Sequence, residues 1–225
     1  GAVARYARAC DLGDADGCLG AASVWAVGLL GEPDPARAIA PLTRACELGS
    51  GKACYVLADK HALALGVPED EARAAALYAR ALERLGRECP GSGPSCYYLG
   101  AAYRDGNGVA ADAAAAGRWF AAGCDGGSGA SCYALGRLYR DGALGGGERA
   151  RALDYFDRSC QRYDNADGCH AAGEILAAQA DAEPARLAAL ADRACTLATA
   201  ACDLSAYLYA TGKGGAHDEA RATAA

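Results

Sequence analysis

Twelve cysteines divide into six pairs along this chain, with none left over: Cys10 and Cys18, Cys46 and Cys54, Cys89 and Cys96, Cys124 and Cys132, Cys160 and Cys169, Cys195 and Cys202. The first member of each pair returns at steps of 36, 43, 35, 36 and 35 residues. A period of that length marks stacked supersecondary units, each touching only its neighbours, rather than one globular core.

The spacing inside a pair constrains the path of the chain. On one continuous helix, eight residues at a 1.5 Å rise would hold two Cα atoms about 12 Å apart, beyond the roughly 7 Å limit for a disulfide. The chain therefore turns back between the two cysteines. The intervening residues agree: DLGDADG over 11–17, PGSGPS over 90–95 and DGGSGAS over 125–131 are all rich in turn formers. Each pair brackets a helix-to-helix corner, where a crosslink around so short a loop is worth roughly 2.5 kcal/mol in the chain-entropy model. Thiolates also bind zinc, but structural zinc sites usually take two cysteines from a tight knuckle with two to four residues between them. No such knuckle occurs here. Reduced thiols acting as small apolar side chains fit poorly with strict pairing in every unit. Disulfides are the favoured reading, and they imply an oxidising compartment: secreted, periplasmic or at a cell surface.

Within a unit the pattern is two antiparallel helices. The first starts at the second cysteine of a pair and ends at a glycine ten positions on, as at Gly28, Gly106, Gly142 and Gly212, which suits a left-handed cap. The second ends at the first cysteine of the next pair, and Asp34 followed by Pro35 is a start signal for one of them. Four residues after the second cysteine the side chain is always small: Ala22, Ala58, Gly100, Gly136, Gly173, Ala206. Seven residues after it stand Trp25, His61, Tyr103, Tyr139, Leu176 and Tyr209, on the same helical face. On the second helix, Ala2, Ala38, Ala81, Ala116, Ala152 and Leu187 lie eight before the cysteine. Tyr6, Leu42, Leu85, Phe120, Phe156 and Ala191 lie four before it, and both sets are expected to face the interior.

The run LGAAYRDGNGVAADAAAAGRWFA over 99–121 is similar to the Sel-one-like repeat (SLR) family, helix-pair repeats related to the tetratricopeptide repeats. LGRLYRDG and ARALDYF repeat the match between Leu135 and Phe156, and weaker copies cover nearly the whole chain. A cysteine pair at every corner resembles the secreted, cysteine-rich bacterial branch, the helicobacter cysteine-rich proteins. The resemblance implies an all-α fold, a right-handed α/α superhelical solenoid of about six helix-pair repeats. It also implies that the first helices line the concave side. The unit after Cys54 departs from the pattern, with Ala58 for the usual glycine and about seven extra residues before Cys89; the unit after Cys169 has Gln179 in place of the capping glycine.

An unbroken period favours one repeat domain over residues 1–225 with no linker. The chain opens on GAVARYARAC, which reads as the end of a second helix, and closes on HDEARATAA, which reads as the start of another, so the expectation is a fragment cut mid-repeat at both ends. A net charge of -6 argues against nucleic acid and anionic membrane surfaces as partners. No apolar run approaches the roughly 20 residues of a membrane span.

Catalytic machinery is hard to find, and no cofactor or metal is implied. His61 sits on the core stripe, and His170 and His217 lie in different units without a recurring acidic partner. Acidic pairs such as Asp14 with Asp16 or Glu69 with Asp70 fall at turns and helix starts, where carboxylates cap. Cysteine-rich members of the family are often described as slow beta-lactamases or penicillin-binding proteins. Their serine machinery needs S-x-x-K, and here no serine is followed by lysine three residues later. The expected function is therefore a non-enzymatic protein-interaction scaffold, with a structural subunit of an extracellular or envelope assembly as the alternative and weak beta-lactamase activity as the second.

Offsets 1, 5 and 8 after the second cysteine form a separate face of the first helix, about 100° round from the core stripe, and vary freely between units. They read Leu19, Ser23, Ala26; Tyr55, Asp59, Ala62; Tyr97, Ala101, Arg104; Tyr133, Arg137, Arg140; His170, Glu174, Ala177; Asp203, Tyr207, Ala210. Tyrosine and arginine are enriched at binding hot spots, and Tyr97, Arg104, Tyr133, Arg137 and Arg140 are their densest concentration. These five residues are the candidate site, and the expected partner is a protein or peptide segment bearing acidic groups.

Overall fold

A computed structural model describes residues 2–28, 31–179, 182–215, 218 and 223. Among them the chain forms twelve α-helices, with no strand: α1 (Ala2–Asp11), α2 (Ala15–Ala26), α3 (Pro35–Glu47), α4 (Gly51–Ala62), α5 (Glu71–Glu88), α6 (Gly93–Asp105), α7 (Ala113–Asp125), α8 (Gly129–Arg140), α9 (Arg149–Tyr163), α10 (Ala166–Ala177), α11 (Pro184–Leu197) and α12 (Asp203–Thr211). The chain divides into two compact units, Gly1–Gly91 with Ala101–Asp112 and Ser92–Gly100 with Ala113–Ala225. The division falls inside α6. In the first unit α1 to α5 pack each on the next; in the second α7 to α12 do the same.

The corners are built as the cysteine spacing requires. Cys10–Cys18, Cys46–Cys54, Cys124–Cys132, Cys160–Cys169 and Cys195–Cys202 are bridged, with Cα atoms 4.2 to 4.6 Å apart. Cys89 and Cys96 are disulfide-bonded as well, and no cysteine is free.

Five first helices begin at a polar cap, Asp14, Ser50, Ser92, Ser128 or Asn165, whose side chain accepts from the amide of Asp16, Ala53, Ser95, Ser131 or Gly168. Such a cap is worth about 1 kcal/mol. The amides of Cys18, Cys54, Cys96, Cys132 and Cys169 then donate to the carbonyls of those caps. The second cysteine thus lies inside the first turn rather than at the helix start, because the cap stands four residues ahead of it. The last unit has Ala198 and a short 3-10 turn at this place, with no side-chain cap.

Each first helix ends as expected at a left-handed glycine where one is present: φ is +71° at Gly28, +77° at Gly106, +74° at Gly142 and +72° at Gly212. The loop that follows is closed by one backbone bond. The amides of Asp34, Asp70, Asp112, Glu148 and Asp218 donate to the carbonyls of Trp25, His61, Tyr103, Tyr139 and Tyr209, each nine residues earlier, at 2.8 to 3.1 Å. The unit after Cys169 differs, since the amide of Gln179 donates back to the Leu176 carbonyl instead.

The core runs along the facing stripes of the hairpins. Ala38, Ala81, Ala116, Ala152, Leu85, Phe120, Phe156 and Ala191 are all fully buried. Tyr6 is the exception at 43% exposed, although its ring lies against Gly20 of α2. The stripe seven residues after the second cysteine is only partly core. His61, Leu176 and Tyr209 are buried, but Trp25, Tyr103 and Tyr139 are half-exposed. The rings of Trp25 and Tyr139 are capped by the guanidinium groups of Arg37 and Arg151, at 4.7 and 5.5 Å from the ring centroids.

Candidate interaction face of the first helices

In the second unit, α8 carries Tyr133, Arg137 and Arg140 at offsets 1, 5 and 8, which a 3.6-residue period places on one side of the helix. Tyr133 is half-buried, its ring tilted against Phe156 with centroids 5.6 Å apart. Tyr97 of α6 repeats the arrangement on Phe120 at 5.8 Å and meets Tyr98 edge-on. Both tyrosines divide their surface between the core and solvent, so each ring is held in place by the second helix of its hairpin.

The arginines differ in how far they are already engaged. Arg140 donates from Nε to Oδ1 of Asp141 at 2.8 Å, and that bond holds its guanidinium pKa above the ordinary value against the opposing effect of burial. Arg104, which belongs to the first unit, donates from Nε and Nη2 to the two carboxylate oxygens of Asp105 at 2.7 and 2.6 Å. Arg137 is exposed, lies 6.0 Å from the Tyr133 ring centroid, and pairs with no carboxylate among the described residues. Of the five residues read from the sequence, Tyr133, Arg137 and Arg140 are therefore brought together on α8. Tyr97 stands on α6 in the same unit, and Arg104 is in the other unit, neutralised by its neighbour.

Further along the second unit the same face becomes acidic. His170 of α10 lies 3.1 Å from Oδ1 of Asp203 and 3.8 Å from Glu174, at offsets 1, 1 and 5 of their helices. His61 is 6% exposed, as its place on the core stripe suggests, and neither ring nitrogen has a hydrogen-bond partner among the described residues. His217 lies outside the described residues.

In the first unit the free face is partly consumed by a polar cluster that sequence reasoning missed. Tyr55 is buried, meets Tyr78 edge-on at 5.3 Å, and accepts from Nδ2 of Asn107 at 3.0 Å. The Tyr78 hydroxyl donates to Oδ1 of Asp59 at 2.6 Å. Burial pushes the Tyr55 phenol up to about 12, and burial followed by the bond to Asp59 raises that of Tyr78. Burial also raises the Asp59 carboxyl above its ordinary range, while the Tyr78 hydroxyl pulls it back. The residue types at offsets 1 and 5 hinted at this; the partners come from α5 and from the loop after α6, which no periodicity links to them. Among the described residues no cluster of three or more His, Cys, Asp or Glu could hold a metal, and no helix is long and apolar enough to cross a membrane.

In each of the two units, helices packed each on the next in sequence order, with small residues between the paired helices and bridged corners between hairpins, define an α/α repeat protein. The comparison with solved structures narrows the fold to the SLR type. A Sel1 repeat protein from Oxalobacter formigenes matches with a TM-score of 0.70 at 18% identity, over 95% of this chain and 86% of that one. A protective antigen of uropathogenic Escherichia coli with an SLR fold matches with a TM-score of 0.66 at 22% identity, over 97% of this chain. This chain spans 46% of the length of that antigen. No family model matches the sequence, and no curated protein does.

Proposed function

We propose that this chain is an extracytoplasmic protein-interaction scaffold, without catalysis of its own, that docks a protein or peptide segment on the offset 1, 5 and 8 face of its first helices. The observation that carries the reading is the pair on α8: a tyrosine anchored on Phe156 beside an exposed arginine, Arg137, with no carboxylate of its own among the described residues. An anchored ring offers contact area at little entropic cost, and an unengaged guanidinium in a fixed place selects a carboxylate. The site is centred on Tyr133 and Arg137, with Tyr97 and Arg140 at its margin. Arg104 and Arg140 are each already bonded to an aspartate that offsets much of their charge, so they contribute less to an acidic partner than an unengaged arginine does.

The partner in this reading presents an acidic side chain to Arg137, and the net charge of -6 disfavours nucleic acid. The bridged corners support residence outside the reducing cytosol. Absence of an S-x-x-K serine supports the non-enzymatic assignment.

The test is capture from the extracytoplasmic fraction of the source organism with the oxidised protein, its Arg137→Glu variant and an Arg73→Glu control. Specific proteins retained by the parent and the control but lost from Arg137→Glu support the proposal. Equal capture by all three removes the site from α8.

A further inference from the structure

About half a helical turn away from Arg137, α8 also borders a cavity of about 380 Å³ that lies between α7, α8, α9 and the loop joining the last two. Leu135 of α8 and Leu144 of the loop form apolar wall. Gly117 of α7 belongs to the same lining, and a Cβ there would come within 3.1 Å of Cδ2 of Leu144, so the bare backbone lets the loop leucine lie against α7. The volume falls at the small end of the range typical of ligand sites.

The polar groups of the cavity are few, and their charges do not cancel. Arg151 bonds Oε2 of Glu148 at 2.8 Å and covers the ring of Tyr139, so that cation is engaged. Arg118 also lines the cavity, is exposed, and pairs with no carboxylate among the described residues. The rings of Tyr139 and Tyr155 stack with centroids 5.6 Å apart and planes 1° from parallel. Neither hydroxyl has a hydrogen-bond partner among the described residues, so both are available as donors. An unengaged guanidinium and two phenol donors beside leucine walls match an anion that carries an apolar body.

We propose that this cavity binds a carboxylate attached to an apolar group about the size of an aromatic amino-acid side chain. Arg118 and a tyrosine hydroxyl take the carboxylate; Leu135, Leu144 and the tyrosine faces take the body. A free aromatic carboxylic acid and the last residue of a peptide share this chemistry. The site shares no residue with the interaction face, so it stands independently of the scaffold reading.

The experiment is an NMR titration of the oxidised protein with N-acetyl-L-phenylalanine, its carboxamide and a glycyl-seryl-phenylalanine tripeptide. The Arg118 side chain and the Tyr139 and Tyr155 rings are the reporters. The acid is expected to saturate these signals with a dissociation constant of about 1 mM, as befits a ligand of this size. The carboxamide should bind about tenfold more weakly, and Arg118→Gln should weaken the acid about tenfold while leaving the carboxamide unchanged. Tighter binding of the tripeptide than of the capped amino acid assigns a chain terminus as occupant; weaker binding assigns the free acid. Equal affinity for acid and carboxamide in the unaltered protein overturns the proposal, as does failure of both the acid and the tripeptide to saturate the reporters by about 20 mM. That comparison needs no variant and holds whether or not Arg118→Gln folds.

Discussion

The ring of Phe156 lies directly on the backbone of Gly136: a Cβ built on that glycine would stand 2.7 Å from both Cδ1 and Cε1 of the ring. Gly100 and Phe120 repeat the relationship, with a shortest distance of 2.5 Å. Where leucine takes the place of the phenylalanine, at Leu42 and Leu85, the first helix carries alanine, at Ala22 and Ala58, and all four are buried. In these four hairpins volume is exchanged, a methyl on one helix for the extra bulk of a ring on the other, whereas Gly173 faces Ala191 in its hairpin and the side chain nearest to it is Leu204.

That exchange predicts a coupled pair. Gly136→Ala alone overpacks the hairpin and should destabilise the oxidised protein by about 1 to 3 kcal/mol. Phe156→Leu alone should cost about 1 kcal/mol through lost burial. The double variant reproduces the Ala58 and Leu85 combination, so it should be more stable than the sum of the single losses by about 1 kcal/mol or more. Urea unfolding of the four proteins measures the coupling, and strict additivity would show that the contact does not limit packing.

Much of this architecture was legible from cysteine spacing, because a bridge between residues eight apart admits one kind of backbone path. The left-handed glycines and the Asp34 cap were legible for the same reason: each is a local demand that a residue type meets alone. The half-exposed Trp25 and Tyr139 were not, since periodicity gives the side of a helix but not how far the neighbouring helix covers it. Within the candidate site, Tyr133 and Arg137 fall on one face as helical spacing requires. The engagement of Arg140 with Asp141 depends on rotamers at a helix end, and the burial of Tyr55 on Tyr78 of another helix, neither of which a one-chain repeat alignment encodes.

Left-handed backbone gives a second prediction, in opposite directions at two places. Gly142 adopts φ +74°, and the nearest atom to a Cβ there would be 3.5 Å away, so Gly142→Ala meets strain without a clash. It should lower stability by about 1 kcal/mol. Asp164 occupies the same region at φ +50°, where the corner between Cys160 and Cys169 has a sequence separation of 9 instead of 8. Asp164→Gly should therefore raise stability by a few tenths to about 1 kcal/mol, the lost ion pair to Arg193 being exposed and worth little. Urea midpoints moving in opposite directions check both.

The polar cluster in the first unit predicts a pH dependence whose sign is fixed by burial. Asp59 has its carboxyl raised above the ordinary aspartate value, first by burial and against the hydrogen bond from Tyr78. Between the ordinary value and the raised one the folded state holds more protons at this site than the unfolded state. Stability from this residue therefore falls as pH rises through that window and recovers as pH drops back through it. Measured as the difference in unfolding free energy between the parent and Asp59→Asn, which cancels most other carboxylates, the parent should gain on acidification from neutrality toward the ordinary range and then level off. Tyr78→Phe removes the one bond that favours the ionised form, so in that background the gain should begin at higher pH. A parent that instead loses ground to Asp59→Asn on acidification would mean that the bond from Tyr78 outweighs desolvation, and would reverse the assignment of which force governs this carboxyl.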